Sequence, residues 1–215
     1  MVTRGAIDGG PVLPSGYRMW FFKRPPAAVT DAFLDRQRHL PWSYTGAGAT
    51  RGQDWPAGYN HDRNEIELGC GEAVFQRGVA ALRAWRMFPA GWTIILPEKS
   101  PQTEGTAVAL LIRVFGIWWL NAARVVYEVD ERGEGVKRRI GFAYGTLPGH
   151  VEGGEERFTV AWKDDDRVVY ELYAYSRPRL WLVRLTKPVA RMLQRRFVKQ
   201  SLSTMRRLAN PEGKP

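Results

Sequence analysis

The densest set of reactive side chains is His150, Glu152, Glu155, Glu156 and Arg157, all within eight residues. A histidine titrates near neutrality and beside carboxylates makes a general acid/base pair, which nominates His150, Glu152 and Glu156 as catalytic candidates. The same carboxylates could hold a hard metal ion with water. A plainer reading competes. Pro148, Gly149, Gly153 and Gly154 shape a turn whose acids pair with Arg138, Arg139 or Arg157, since charge pairs across strands are common. The plainer reading is preferred, and no metal site is expected.

Other candidates are weaker. Asn121 and Arg124 stand three apart at the start of an extended run, so they face opposite sides of it. Arg124 suits a carboxylate or phosphate clamp, but an ion pair with an acid such as Glu171 is the simpler use. Gly69-Cys70-Gly71 lies between a strand pattern and a helix pattern, where backbone amides can receive phosphate. The third glycine of a dinucleotide fingerprint is missing, so a tight turn is expected. Cys70, the single cysteine, reads as a small buried residue. His39, His61 and His150 lack zinc-ligand spacing, and neither a G-x-S-x-G elbow nor a P-loop occurs. No cofactor is expected.

The elements that must position these residues follow from periodicity. Residues 17–23 form a short strand candidate, 27–40 a helix stopped by Pro41, and 42–57 an ordered loop. A strand over 59–68 precedes a helix over 72–87, whose Val74, Phe75, Val79, Leu82 and Trp85 recur at helical spacing. Gly78 in that helix allows close approach. Six strand-like runs follow, at 91–96, 105–114, 120–129, 138–144, 156–162 and 167–175, separated by short Gly, Pro and Asp turns. In the last run Val168, Tyr170, Leu172 and Ala174 share one face. Short turns between successive strands imply an antiparallel meander. A final helix starts near Thr186 and runs to about 208. Its stripe shifts from Val189, Met192, Leu193 and Phe197 to Val198, Leu202, Met205 and Leu208. The expectation is α+β: a curved antiparallel sheet of six or seven strands gripping a long C-terminal helix.

Composition sets the outer limits. With 215 residues, 44% hydrophobic and 25% charged, the chain is of ordinary globular type. We divide it into a loose lead-in at 1–16, one domain at 17–209 and a tail at 210–215. No signal peptide is read at the N-terminus, and the apolar stretch 106–120 is broken by Arg113 and too short to span a bilayer. With one cysteine, a reducing cytoplasm is expected. Charge is uneven. Residues 177–215 hold eleven of the 32 basic residues but one of the 22 acidic ones, leaving 21 of each in the first 176. The net +10 thus belongs to the last helix and its flanks, where Arg191, Arg195, Arg196 and Lys199 are candidates for contact with an anionic membrane. Nucleic acid is the less favoured polyanion.

Three stretches resemble the domain-of-unknown-function 1990 family (DUF1990): WWLNAARVVYEVDE (118–131), GFAYGTLPGHVEGGEERF (141–158) and YSRPRLWLVRLTKPVARMLQRRFVKQSLSTMRR (175–207). Residues 46–58 and 68–92 are similar as well, so the resemblance covers roughly 40–209. One departure is Ala122-Ala123, where Pro-Cys is expected in many relatives, so any thiol role there is absent. The family's members are uncharacterised, and the resemblance implies no catalytic residues. Its element order is similar to that of the START-like helix-grip superfamily, which implies an apolar ligand.

The favoured expectation is a non-catalytic binder of an apolar or amphipathic small molecule, in a cavity between sheet and last helix. Its walls would come from Val125, Tyr127, Phe142, Tyr144, Val168, Tyr170 and Leu172, with Leu193 and Phe197 from the helix. Of these, Tyr127, Phe142, Tyr144, Tyr170, Leu193 and Phe197 are the ligand-binding candidates. Trp118, Trp119 and Trp181 are further rings suited to a cavity or an interface. The alternatives are an adaptor using the basic helix on an anionic membrane, and an enzyme using His150 and the neighbouring carboxylates.

Overall fold

A computed structural model describes residues 19–179 and 187–213. The lead-in 1–16, Trp181 and the proposed cap Thr186 lie outside the described residues. In chain order the elements are β1 (Trp20–Phe21), α1 (Ala27–Gln37), a 3-10 turn (Ala49–Arg51), β2 (Asn60–Cys70), α2 (Glu72–Arg83) and β3 (Thr93–Leu96). Then come β4 (Ala107–Val114), β5 (Ile117–Gly133), β6 (Val136–Thr146), β7 (Glu152–Lys163), β8 (Arg167–Pro178) and α3 (Lys187–Ala209). The strands form one sheet in the order β2-β8-β7-β6-β5-β4-β3, with β1 added beside β5. Every pairing is antiparallel. The fold is α+β: an open, curved sheet whose concave face holds the C-terminal helix, the helix-grip layout.

Curvature has local causes. β5 pairs with β4 along its first half and with β6 along its second, and bulges fall at Val125/Tyr127 and Glu131/Gly133. A bulge bends its strand and raises the twist. On β6 and β7, Gly141 and Gly154 allow strands to close in: a Cβ at either would lie 2.0 Å from the carbonyl oxygen of Phe158 or Tyr175.

Two helices fill the concave face. α2 buries Val74, Phe75, Val79 and Leu82 against Leu68, Phe158, Val160 and Val168. Gly78 permits this approach, because a Cβ there would sit 3.1 Å from Leu68 and 3.2 Å from Val160. α2 ends at Arg83 rather than 87: Trp85 turns into the left-handed region (φ 56°), and its indole donates to the Ser100 carbonyl at 2.8 Å. The two apolar stripes of α3 meet different surroundings. Its C-terminal half sets Met205 and Ala209 into the core, with Ser201 at 3.0 Å from the Tyr170 hydroxyl. Its N-terminal half brings Leu193 and Phe197 to a cavity. Met192, grouped with them by spacing, is instead 54% exposed.

The convex face is covered by α1, through Phe33 and Leu34 on Leu111, Leu120 and Leu147, and by the segment carrying Tyr44 and Trp55 against Tyr175. Several expected partners change. Among the described residues Arg124 pairs with no acid. Its Nη1 donates to the carbonyls of Arg38 (2.7 Å) and Leu40 (3.2 Å) just past the end of α1, where helical carbonyls lack partners, and its guanidinium lies 4.1 Å from the Trp42 ring. Glu171 is held by Arg139, Lys163 and Thr159. Against the upward push of burial, the Thr159 and Arg139 hydrogen bonds keep its carboxyl below the usual range. Arg138, Arg139 and Arg157 pair with Asp130, Glu131 and Glu171, not with the acids at 152–156. Cys70 is exposed, because β2 continues through it beyond the Glu67/Gly69 bulge. No helix of the described residues is long and apolar enough to cross a membrane.

Candidate functional site

The polar cluster that opened the sequence reading is split: Pro148, Gly149 and His150 form the turn between β6 and β7, and the acids lie on the strand beyond it. Glu152–Lys163 is strand, so successive acids alternate between the two faces of the sheet. Glu155 faces the convex side. Its Oε2 accepts from the Tyr44 hydroxyl (2.8 Å) and the Gly48 amide (2.6 Å), and its Oε1 from the Thr50 amide (3.0 Å) and hydroxyl. Glu152 and Glu156 face the concave side and line a cavity of about 470 Å³ between the sheet and α3.

The strand pairing sets the cavity's polar wall. Asp62 of β2, Ala174 of β8, Glu156 of β7 and Tyr144 of β6 are cross-strand partners in one row. Tyr144 donates to Glu156 Oε2 at 2.5 Å. From α3, both terminal nitrogens of Arg191 reach Asp62, at 2.7 and 2.9 Å. Gln194 donates to Glu152 Oε1 at 2.7 Å and to Ser176 at 3.3 Å. Burial pushes the Glu156 carboxyl up to about 7, with Glu152 and Asp62 adding to the rise and the Tyr144 hydroxyl opposing it. Burial also raises Glu152, against the Gln194 hydrogen bond and Arg191.

The facing wall is apolar. β4 contributes Leu110, Ile112 and Val114, and β5 contributes Ile117 and Trp119. Behind them the rings of Phe88, Phe197 and Trp92 form a floor: Phe88 lies 5.4 Å from Phe197, which lies 6.5 Å from Trp92. The β4–β5 tip carries Phe115, 79% exposed, at the cavity rim. At the end nearest the β6–β7 turn, buried Asn121 accepts from the Val151 amide at 3.2 Å. His150 is buried too, and its Nδ1 accepts the Glu152 amide at 3.0 Å. Burial lowers its pKa to about 4, so the ring is neutral with its proton on Nε2.

The expected ligand residues divide into three groups. Tyr144, Leu193 and Phe197 line the cavity. Phe142 and Tyr170 lie in the filled part of the concave core, Phe142 under Trp85 at 4.8 Å. Tyr127 is on the other face of the sheet. The bulge after Val125 reverses the alternation, and the Tyr127 hydroxyl meets Thr50 at 2.7 Å beneath Arg51. The catalytic candidates His150, Glu152 and Glu156 all lie at the cavity. Of the anion-contact residues, Arg195, Arg196 and Lys199 are exposed, with Arg196 5.2 Å from the Trp92 ring, whereas Arg191 is engaged with Asp62. Sequence reasoning did not single out Asp62, Gln194 or the β4 wall. The alternation of Val108, Leu110, Ile112 and Val114 was a readable signal for that wall. Among the described residues, no group of three or more His, Cys, Asp or Glu is arranged to hold a metal ion.

The chain is 32% identical over 205 residues to a UPF0548 protein of Dictyostelium discoideum, covering 87% of this chain and 94% of that one. It is 36% identical over 189 residues to a UPF0548 protein of Deinococcus radiodurans, covering 82% and 92%. Among solved structures it overlaps human STARD10 with a TM-score of 0.44 at 8% identity, over 86% of this chain and 81% of that one. A family model described as a domain of unknown function matches residues 43–204, which include β2 to β8 and most of α3, and the chain therefore belongs to the DUF1990 family.

Proposed function

We propose that the protein is a non-catalytic binder of an apolar or amphipathic small molecule, acting in the cytoplasm. The observation that carries this reading is the cavity of about 470 Å³ with an apolar wall from β4, β5 and α3 and a few polar groups along β7. Protein interiors normally pack to crystal-like density, and ligand sites of roughly 300–1,000 Å³ are mostly apolar with a few polar groups that fix orientation. The state of His150 supports a non-catalytic use. A neutral ring with an occupied Nδ1 has no free lone pair with which to act as a general base.

The test is native mass spectrometry combined with thermal shift, against fatty acids, sterols, isoprenoids and aromatic metabolites. One bound molecule per chain is expected. At one hundred times its dissociation constant it adds about 2.7 kcal/mol of stability. No adduct and no shift across the panel would overturn the reading.

A second reading, peripheral contact with an anionic membrane, is favoured by exposed Phe115 at the cavity rim together with exposed Arg195, Arg196 and Lys199 on α3. Each basic residue near such a surface is worth about 1 kcal/mol. Reversing all three to Glu should abolish co-sedimentation with phosphatidylserine vesicles at low salt, and equal sedimentation with neutral vesicles would contradict it.

A further inference from the structure

The cavity's polar wall is one-sided in charge. Asp62, Glu152 and Glu156 line it, and the nearest cation on α3, Arg191, has both terminal nitrogens on Asp62. Gln194 is also committed: its amide nitrogen serves Glu152 Oε1 and Ser176, and its oxygen accepts from Arg191 at 2.9 Å. Tyr144 serves one oxygen of Glu156. Glu152 has the Ser176 hydroxyl beside it as well as Gln194, and among the described residues no donor reaches Glu156 Oε1. Gly154, between the two acids on β7, brings no side chain. The wall therefore offers mainly hydrogen-bond acceptors and negative charge, with the neutral His150 Nε2–H at its end, opposite a wall of hydrocarbon and indole.

On the reading of this cavity as a ligand site, we propose that its ligand is an amphipathic amine, with a protonated, N–H-bearing headgroup on the β7 carboxylates and its apolar body against Leu110, Ile112 and Trp119. Charge-assisted hydrogen bonds from an ammonium are about twice as strong as neutral ones. A carboxylate headgroup would instead add a negative charge beside Glu152, which burial makes costly and which the uncharged Nε2–H of His150 at the end of the wall offsets only in part. An alcohol falls between, since it donates one hydrogen bond and carries no charge. A metal ion is the poorer cation here, because the acids are spread along the wall rather than gathered.

Binding is coupled to pH. The groups facing Glu156 are Asp62 from β2, Tyr144 from β6, Glu152 from β7, Tyr170 from β8 and Arg191 from α3, with neutral His150 at the end of the wall. An alkylammonium stays protonated up to about pH 10, while Glu156 ionises near 7. The amine therefore binds more tightly at pH 8 than at pH 6.

The experiment is isothermal titration calorimetry of the full chain with decylamine, decanol and decanoate, at pH 6 and pH 8 and below their micellar concentrations. At pH 8 decylamine should bind at least tenfold more tightly than decanol, with decanoate weakest. The chain's net charge of +10 draws adsorbed anions rather than cations, so amine preference has to come from the site. The double variant Glu152→Gln/Glu156→Gln should lose the amine preference, so that decylamine no longer binds more tightly than decanol. Decanoate binding as well as decylamine in the unmodified protein, or a double variant that keeps the preference, overturns the headgroup assignment and leaves the cavity reading intact. Absence of binding by all three overturns both.

Discussion

Glu155 and Glu156 are neighbours on one strand, yet they do opposite work because β7 turns them to opposite faces of the sheet. Glu155 meets four donors from the segment around Tyr44, Gly48 and Thr50, so its two oxygens tie that segment to the sheet. Among the described residues Glu156 meets one donor, the Tyr144 hydroxyl, and it lines the cavity. A carboxylate surrounded by donors is structural. One placed in a cavity with an oxygen to spare is available for recognition. The same contrast separates Glu171, held by Arg139, Lys163 and Thr159, from Glu152.

The largest expected effect falls on the convex side. Glu155→Ala leaves the Tyr44 hydroxyl, two amides and the Thr50 hydroxyl without their acceptor. Each unsatisfied buried donor costs about 1–3 kcal/mol, so a loss of about 4 kcal/mol is expected in urea unfolding at pH 7. A loss below about 1 kcal/mol would erase the distinction between the two acids.

A smaller effect belongs to Glu156 and is read against pH. Its carboxyl titrates near 7 in the folded protein and near 4.5 when unfolded, so between those values the folded state holds a proton that the unfolded state has lost. Its contribution to stability is therefore full below about pH 4.5 and is lost as pH rises through about 7. His150, lowered to about 4, slopes the other way, adding stability as pH rises from about 4 to 6.5. The two are separated by comparing the unmodified protein with Glu156→Gln. The difference between their stability–pH curves should change by on the order of 2 kcal/mol from pH 4.5 to pH 8. Parallel curves would contradict the burial of Glu156. The smallest change is expected for Glu152→Gln. At pH 7 its unfolding free energy should stay within about 1 kcal/mol of the unmodified protein, since the amide can keep its contact with Gln194.

The strand succession, the antiparallel meander and the gripped last helix were legible because period-2 and period-3.6 patterns are local. The split in α3 was visible as a rotated stripe, although its cause, cavity at one end and filled core at the other, was not. What sequence reading missed is non-local. Tyr127 leaves the cavity because one extra residue after Val125 flips every position beyond it. Gly153 and Gly154 resemble a turn, but Gly154 is the place where β7 closes on the Tyr175 carbonyl. The Asp62–Arg191 pair joins residues 129 apart and depends on β2 pairing with β8, which no local pattern specifies. Arg124 found carbonyls at the end of α1 instead of an acid, because a helix end offers unpaired acceptors.

The central claim is that the space between the sheet and α3 takes up an apolar molecule. Ala174 sits in the row between Asp62 and Glu156 and lines that space, so Ala174→Trp fills it from the middle of β8. The direct measurement is fluorescence titration with a neutral apolar probe, N-phenyl-1-naphthylamine, on the unmodified protein and on Ala174→Trp, with urea unfolding to confirm that the variant is folded. The account predicts saturable binding of one probe per chain in the unmodified protein and loss of binding in the folded variant. Absent or non-saturating binding, or equal affinity in both proteins, would contradict it.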